Sequence, residues 1–338
     1  MDRISRCTPW IIKTYDPVKY RVLFASGSPI WVPFLQALVS DPRYDVVGVL
    51  TMPDMPSGRG MKMQENVIAV TSWELWLTDI QKPHSLRLDS KKYADEAKNT
   101  YDRLQALDID ILYVVAYGNL LPQHILDIPK IAPINIHGSL LPAYRGASPL
   151  QTVFLDGLKE TGITLMKMEA GLDSGPMIDK QILKLSFTDT VADLINRVKE
   201  HTPKRSLDSI DRYVHGELEE EVQNESLVTH CGKIIKEDWE LKIKNWEWQD
   251  SLETIYRKYK AYYFRPKTFM KLKVKNNELK NITIDELLID EKLFTQHKNS
   301  GLFIDDGYRL NPAIVSLKVK PEWWKSMALD DFVRGYIQ

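Results

Sequence analysis

The chain has 338 residues, 43% of them hydrophobic and 27% charged, with a formal net charge of −1. This is the balance of a soluble globular protein long enough for two domains, and it excludes a disordered chain. The charge is unevenly spread: residues 231–338 hold 20 Lys and Arg against 16 Asp and Glu, and the rest hold 25 against 30, a mildly basic C-terminal part that suits a polyanionic partner or a plain solvated surface.

Residues 1–19 contain Arg3, Arg6 and Lys13 beside Asp2 and Asp16 and lack an apolar core segment, so they read as a short extension and not as a signal peptide. No apolar run nears the roughly 18 residues of a membrane span, and no membrane partner is expected. Cys7 and Cys231 are the only cysteines, without a C-x-x-C pair or neighbouring histidines. That spacing predicts a reducing compartment and no metal site.

Arg21 to Ala25 is an apolar strand ending in the turn Ser26-Gly27-Ser28-Pro29. Ile30 to Ser40 has helical spacing, and Tyr44 to Thr51 is a second strand. A long loop leads to the polar, helix-rich stretch Leu86 to Leu107, then to strands at Ile109 to Ala116 and Pro133 to His137. Strands alternating with helices predict an α/β fold with a mostly parallel, Rossmann-like sheet covered on both faces. Such sheets bind ligands at the carboxyl ends of their strands, and Gly27, Gly118 and His137 fall at these ends. Ser28 and Pro29 after Gly27 break any G-x-G-x-x-G pattern, so no nicotinamide dinucleotide is expected.

Further on, Ile163 to Met168 and Met177 to Leu185 are strand-like and flank the turn Gly171-Leu172-Asp173-Ser174-Gly175; a helix is predicted over Thr190 to Tyr213. Residues 215–230 are acidic and polar and read as an interdomain linker. Beyond them, short segments such as Thr268 to Val274 and Ile314 to Val319, separated by Asn, Asp and Gly, predict a small β-rich, barrel-like domain. The aromatic stretch Trp239 to Phe264 reads as a helix and core, in preference to a base-stacking surface.

Asn135-Ile136-His137 closes the fourth strand, where positions i and i+2 share a face. A neutral amide and an imidazole therefore aim at one spot beside the loop Gly138-Ser139-Leu140-Leu141-Pro142. An amide that steadies an oxyanion, next to a group that moves protons, is what acyl transfer requires. Taken singly, each residue has an ordinary structural reading: His137 as a hydrogen-bonded core histidine, Asp173 as a turn former, Ser139 to Pro142 as a rigid turn. Asn135 is the odd one, because a buried Asn in a strand needs a specific partner.

Asn135-Ile136-His137-Gly138-Ser139-Leu140-Leu141-Pro142-x-x-Arg145-Gly146, together with the Asp173 turn, resembles the folate-dependent formyltransferases. The resemblance runs from about Tyr20 to Thr229 and more thinly to Gln338. It implies Asn135, His137 and Asp173 as the catalytic set, and Ser139, Leu140, Leu141, Pro142 and Gly118 as folate-contacting residues. Val114 to Gly118 looks like the family's strand and loop beside the pterin. Pro53 to Gly60 with Lys62 is similar to the insertion loop of the branch that formylates methionyl-tRNA, which implies tRNA contacts from Arg59 and Lys62. The stretch Met61 to Asn66 departs from that branch, being less basic and lacking proline, and residues 1–19 are an unusual extension. The implied organisation is a formyltransferase domain over 20–214, a linker over 215–230, and an OB-like tRNA-binding domain over 231–338.

The implied reaction is direct transfer from 10-formyltetrahydrofolate to the amine of initiator methionyl-tRNA, with no covalent enzyme intermediate and no metal. Asn135 donates to the oxyanion, protonated His137 assists, and Asp173 supports His137 and accepts the amine proton directly or through water. A cytoplasmic or organellar-matrix monomer is expected. Two other readings stay open: a sugar-nucleotide N-formyltransferase, and a non-catalytic folate- or tRNA-binding module.

Overall fold

The computed structural model describes residues 19–57, 61–244, 247–248, 250–264, 267–273, 275, 278–303, 309–322 and 324–337. Arg59, with Gly58 and Gly60, lies outside the described residues, as do residues 1–18.

The chain opens with β1 (Tyr20–Ala25), α1 (Val32–Ser40) and β2 (Tyr44–Leu50), followed by a hairpin of β3 (Met55–Ser57) and β4 (Lys62–Gln64). Then come α2 (Val67–Glu74), β5 (Ile80–Gln81), α3 (Ala94–Gln105), β6 (Ile111–Val115), α4 (Gln123–Leu126) and β7 (Ala132–His137). β8 (Arg145–Gly146), α5 (Pro149–Leu155), β9 (Glu160–Lys167), β10 (Met177–Lys184) and α6 (Val191–Val214) complete this part. Seven strands form one sheet in the order β10-β9-β7-β6-β1-β2-β5. The pairs from β5 through β7 are parallel, and β9 and β10 add an antiparallel edge. The predicted Rossmann-like, mostly parallel sheet is thus the observed one.

Alternation along β1 shows why both faces are covered. Val22 and Phe24 join Phe34, Leu38, Leu194 and Val198 on one face. Leu23 and Ala25 join Leu104, Leu112 and Ile125 on the other. The long α6 starts where the sequence signals it: the Thr190 hydroxyl accepts from the Asp193 N–H at 3.4 Å, and the Asp193 carboxylate accepts from the Thr190 N–H at 2.9 Å. This reciprocal cap satisfies two otherwise orphaned donors.

Two local differences from the sequence reading have simple causes. α2 occupies part of the expected long loop, because Val67-Ile68-Ala69-Val70 runs without a polar break and shows no helical period. Its signal was Asn66, whose side-chain oxygen accepts from the Ile68 N–H at 2.9 Å and caps the helix. In the polar stretch from Leu86, the helix begins only at Ala94.

Residues beyond α6 run through β11 (His230–Cys231), β12 (Glu240–Leu241), β13 (Ile243–Lys244) and β14 (Glu247–Trp248). They continue through α7 (Leu252–Ala261), β15 (Phe269–Lys273), β16 (Leu279–Ile289), α8 (Glu291–His297), β17 (Ile314–Pro321), β18 (Met327–Ala328) and α9 (Leu329–Phe332). A mixed five-stranded sheet, β12-β15-β16-β17-β18, carries its own core of Ile255, Met270, Ile282, Ile284, Val319 and Phe332. α7 packs on α5, where Arg257 donates to the Leu155 carbonyl at 3.3 Å. At the same junction the Lys260 ammonium donates to the Phe187 carbonyl at 3.1 Å and lies over the Tyr256 ring, and burial lowers its pKa. Among the described residues, no helix is long and apolar enough to cross a membrane.

Candidate active site

Every residue of β7 is buried, as befits a central strand. Ile134 and Ile136 point into the core shared with α1 and α6, so alternation turns Asn135 and His137 together to the opposite face. Asn135 is only 8% exposed, and its carboxamide makes no hydrogen bond to any described residue. Its polar atoms are not among the side-chain atoms sealed from solvent without a partner, so the carboxamide is open to a ligand that accepts from it.

His137 is fixed from two sides. Nε2 lies 2.9 Å from the Tyr144 carbonyl, which can only accept, so Nε2 carries the hydrogen. Nδ1 faces Asp173 Oδ2 at 3.6 Å, an ion-pair separation longer than a hydrogen bond. Asp173 Oδ2 also accepts the Gly146 N–H at 2.9 Å. Both contacts use Oδ2, and Oδ1 has no hydrogen-bond partner among the described residues.

The backbone that delivers these partners is left-handed at several points. Tyr144 has φ +59°, Gly146 φ +124° and Asp173 φ +48°. The first two conformations turn the Tyr144 carbonyl and the Gly146 N–H toward the site, and strain of this sort gathers at functional positions. At Gly146 a side chain has no room, since its Cβ would overlap the Cys231 carbonyl. That carbonyl belongs to β11, which pairs in parallel with β8, with Arg145 opposite His230 and Gly146 opposite Cys231.

The loop after β7 divides into inward and outward residues. Ser139 and Leu141 are buried. The Ser139 hydroxyl donates to the Ala143 carbonyl at 2.6 Å, and Leu141 packs with Met166 and Met177. Thr164 ties the loop to β9, its hydroxyl donating to the Ser139 carbonyl at 2.7 Å and accepting from the Leu141 N–H at 3.0 Å. Leu140 and Pro142 are partly exposed, and the Leu141–Pro142 peptide is cis. The structure therefore gives Ser139 and Leu141 framework roles and leaves Leu140 and Pro142 accessible to a ligand.

Gly118 and Gly27 meet at the carboxyl ends of β6 and β1. The Gly27 N–H donates to the Ala116 carbonyl at 3.1 Å, and a Cβ on Gly27 would stand 2.8 Å from Met52 Cγ and 3.2 Å from the Gly118 nitrogen. Lys62 sits on β4 in the hairpin, exposed and without an ion pair to a described residue. The hairpin base is anchored by Asp54, whose carboxylate accepts from Lys82 at 2.8 Å and from the Asn66 N–H at 3.0 Å. The Lys82 ammonium holds the Asp54 carboxyl below the usual carboxylate range.

Sequence reasoning assigned no role to Arg145, Gln223 or Cys231. Arg145 is 5% exposed and donates to the Gln223 side-chain oxygen at 2.9 Å and to Glu225 at 2.7 Å. The Arg145 guanidinium keeps the Glu225 carboxyl below its ordinary range. The one signal was Arg145 itself, a cation inside an otherwise neutral loop. Among the described residues no group of three or more His, Cys, Asp and Glu is placed to hold a metal.

Comparison with known proteins gives consistent relatives. The family model described as Formyl transferase matches residues 20–210. Methionyl-tRNA formyltransferase of Legionella pneumophila (strain Paris) is 36% identical over 241 residues, covering 71% of this chain and 72% of its own. The enzyme of the same name from Pseudomonas fluorescens (strain Pf0-1) is 38% identical over 218 residues, covering 64% and 65%. Among solved structures, HypX from Aquifex aeolicus in complex with tetrahydrofolic acid superposes with a TM-score of 0.56 at 16% identity, over 94% of this chain and 48% of that one. WlaRD, a sugar 3N-formyl transferase, superposes with a TM-score of 0.52 at 17% identity, over 80% and 89%. At these identities the structural matches bear on the fold.

Proposed function

The chain belongs to the formyl transferase family, and from that premise we propose that it transfers a formyl group from 10-formyltetrahydrofolate to the free amine of methionyl-tRNA. The observation that carries the reading is the Asn135 amide, without a partner among the described residues, beside the His137–Asp173 pair at the carboxyl end of the sheet. The acceptor follows from the curated relatives, methionyl-tRNA formyltransferases matched over 71% of the chain.

The residues present fit a formylated folate. Gly27 and Gly118 pack closely on the Met52 side chain at the carboxyl ends of β1 and β6, where ligands bind in sheets of this kind. Leu140 and Pro142 offer accessible apolar surface, and Asn135 offers a free donor for a formyl oxygen. The bound folate supplies an electrophilic formyl carbon. Asn135 Nδ2 donates to the formyl oxygen as negative charge builds there, a preorganised donor in a water-poor site. Asp173 keeps Oδ2 on His137 Nδ1 and the Gly146 N–H, and its Oδ1 takes the proton that the attacking amine must lose. The formyl carbon–nitrogen bond of the folate then breaks and the departing nitrogen takes the proton held by Asp173, so the donor leaves as tetrahydrofolate; His137, clamped between the carboxylate at Nδ1 and the Tyr144 carbonyl at Nε2, assists this proton movement.

For the tRNA, the reading uses Lys62 in the hairpin, Arg59 and the C-terminal residues. The exposure of Lys62 and the excess of Lys and Arg over 231–338 support phosphate contacts. The mixed five-stranded sheet supports an OB-like unit, a fold whose barrel is often only partly closed. A monomer acting in the cytoplasm or an organellar matrix completes the proposal. The direct test is mass-spectrometric detection of N-formylmethionine after incubation with charged initiator tRNA and 10-formyltetrahydrofolate. Formylation of an amino-sugar nucleotide with no formylmethionine would overturn it.

A further inference from the structure

We propose that Gln223, which lies outside the matched family segment, is a positioning residue that holds Asp173 in its working geometry. The inference rests on the formyl-transfer reading and adds to it a part for residues 220–225.

Gln223 is 5% exposed and uses its whole amide. Nε2 donates one hydrogen to the Asp173 carbonyl and the other to the Gly175 carbonyl, each at 2.7 Å. Oε1 accepts from Arg145 Nε at 2.9 Å. One side chain thus links the backbone on either side of Ser174 to the strand whose Gly146 N–H holds the Asp173 carboxylate.

The turn needs such a brace. Glu169 to Leu172 are exposed, and Asp173 adopts a left-handed backbone, which aspartate tolerates better than most residues but which still costs free energy for a residue with a side chain. Its carboxylate direction depends on that backbone. Were the peptide to relax, Oδ2 would leave both His137 and Gly146.

Gln223 is itself held in place. Met177 and Glu221 exchange backbone hydrogen bonds at 2.9 and 2.8 Å. Lys167 pairs with Glu220 at 2.9 Å and Lys180 with Glu221 at 3.2 Å. Residues 220–225 are therefore strapped along the start of β10 and reach the turn from outside the sheet.

Gln223→Glu separates positioning from packing. A glutamate still accepts from Arg145 but cannot donate to the two carbonyls. The expected result in full-length enzyme is a fall in kcat of about tenfold to a hundredfold, the scale of a small misplacement, with KM for both substrates little changed. In an Asp173→Asn background the same substitution should cost almost nothing further, since residues acting as one unit are non-additive. An equal loss in both backgrounds, or a raised KM with unchanged kcat, overturns the proposal. A second readout needs no acceptor: the His137 ring resonances in 1H–15N spectra should move in the same direction in Gln223→Glu and Asp173→Asn. If they do not move in Gln223→Glu, the proposal fails. Wild-type enzyme that leaves methionyl-tRNA untouched sinks the formylation reading instead, and these spectra still decide the part played by Gln223.

Discussion

His137 and Asp173 stand 3.6 Å apart, Nδ1 to Oδ2, across a gap that no single secondary-structure element spans. The histidine ends a buried central strand and the aspartate sits in an exposed turn between two antiparallel strands. Each is steered by backbone groups of the loop between them: the Tyr144 carbonyl for His137 and the Gly146 N–H for Asp173. The pair is thus assembled by the loop from 144 to 146, and its chemistry inherits that loop's rigidity.

Replacing Asp173 with Asn should lower kcat by roughly 100-fold to 10,000-fold, the range of a lost general base. The amide oxygen can still accept from Gly146, so the melting temperature should barely change. Rapid-quench measurement of formyl-Met-tRNA checks the first part and thermal unfolding the second. Wild-type turnover would remove Asp173 from the mechanism.

Asn135→Ala removes a donor that has no partner among the described residues. The expected loss is about 100-fold to 1000-fold in kcat, with stability little changed, because no described residue loses a hydrogen bond. If steady-state assays find near wild-type turnover, the oxyanion role is wrong.

Gly146→Ala should damage stability and rate together. The left-handed backbone alone costs about 1–3 kcal/mol for a residue with a side chain, and the new Cβ strikes the Cys231 carbonyl. Calorimetry should show a lowered melting temperature, and kcat should fall as the N–H bound to Asp173 shifts. An alanine variant as stable and active as the parent would contradict the described geometry.

Lys62→Ala should weaken tRNA binding without altering folate binding. A phosphate contact contributes a slope of about one unit in log affinity against log salt. Filter binding across a salt series should therefore show the slope reduced by about that amount. An unchanged slope removes Lys62 from the interface.

Burial pushes the Cys231 thiol up from its ordinary value, and only the thiolate alkylates quickly. At neutral pH, iodoacetamide should label Cys231 far more slowly than it labels a free thiol. The rate should rise only at a pH above the normal thiol range. Peptide mapping of a timed reaction gives the rate, and labelling as fast as a small thiol would show that Cys231 is not buried as described.

Much of this arrangement was legible in the sequence because it depends on local pattern. The apolar runs at Arg21–Ala25, Tyr44–Thr51 and Ile109–Ala116 became β1, β2 and β6 within a residue or two. Thr190 announced α6 through its cap. Asn135 and His137 share a face because alternation in a strand demands it. What the sequence could not reveal depends on distant pairing. Residues 215–230 looked like a linker because their composition is acidic and polar. Yet Glu221 hydrogen-bonds Met177, and Gln223 buries its amide against the Asp173 turn. Neither bond leaves a periodic trace. α2 escaped notice for a different reason: four apolar residues in a row carry no helical period.

The parallel pairing of β11 with β8 has a consequence for grafting. The matched family segment stops at residue 210, but the carbonyl that fills the space at Gly146 comes from Cys231, and the brace on Asp173 comes from Gln223. A cassette cut at the family boundary would keep Asn135, His137 and Asp173 and lose these contacts to the residues around them. An engineer who exchanges the C-terminal unit for another must carry residues 220–231 with the formyl-transfer module, or rebuild their contacts in the new host.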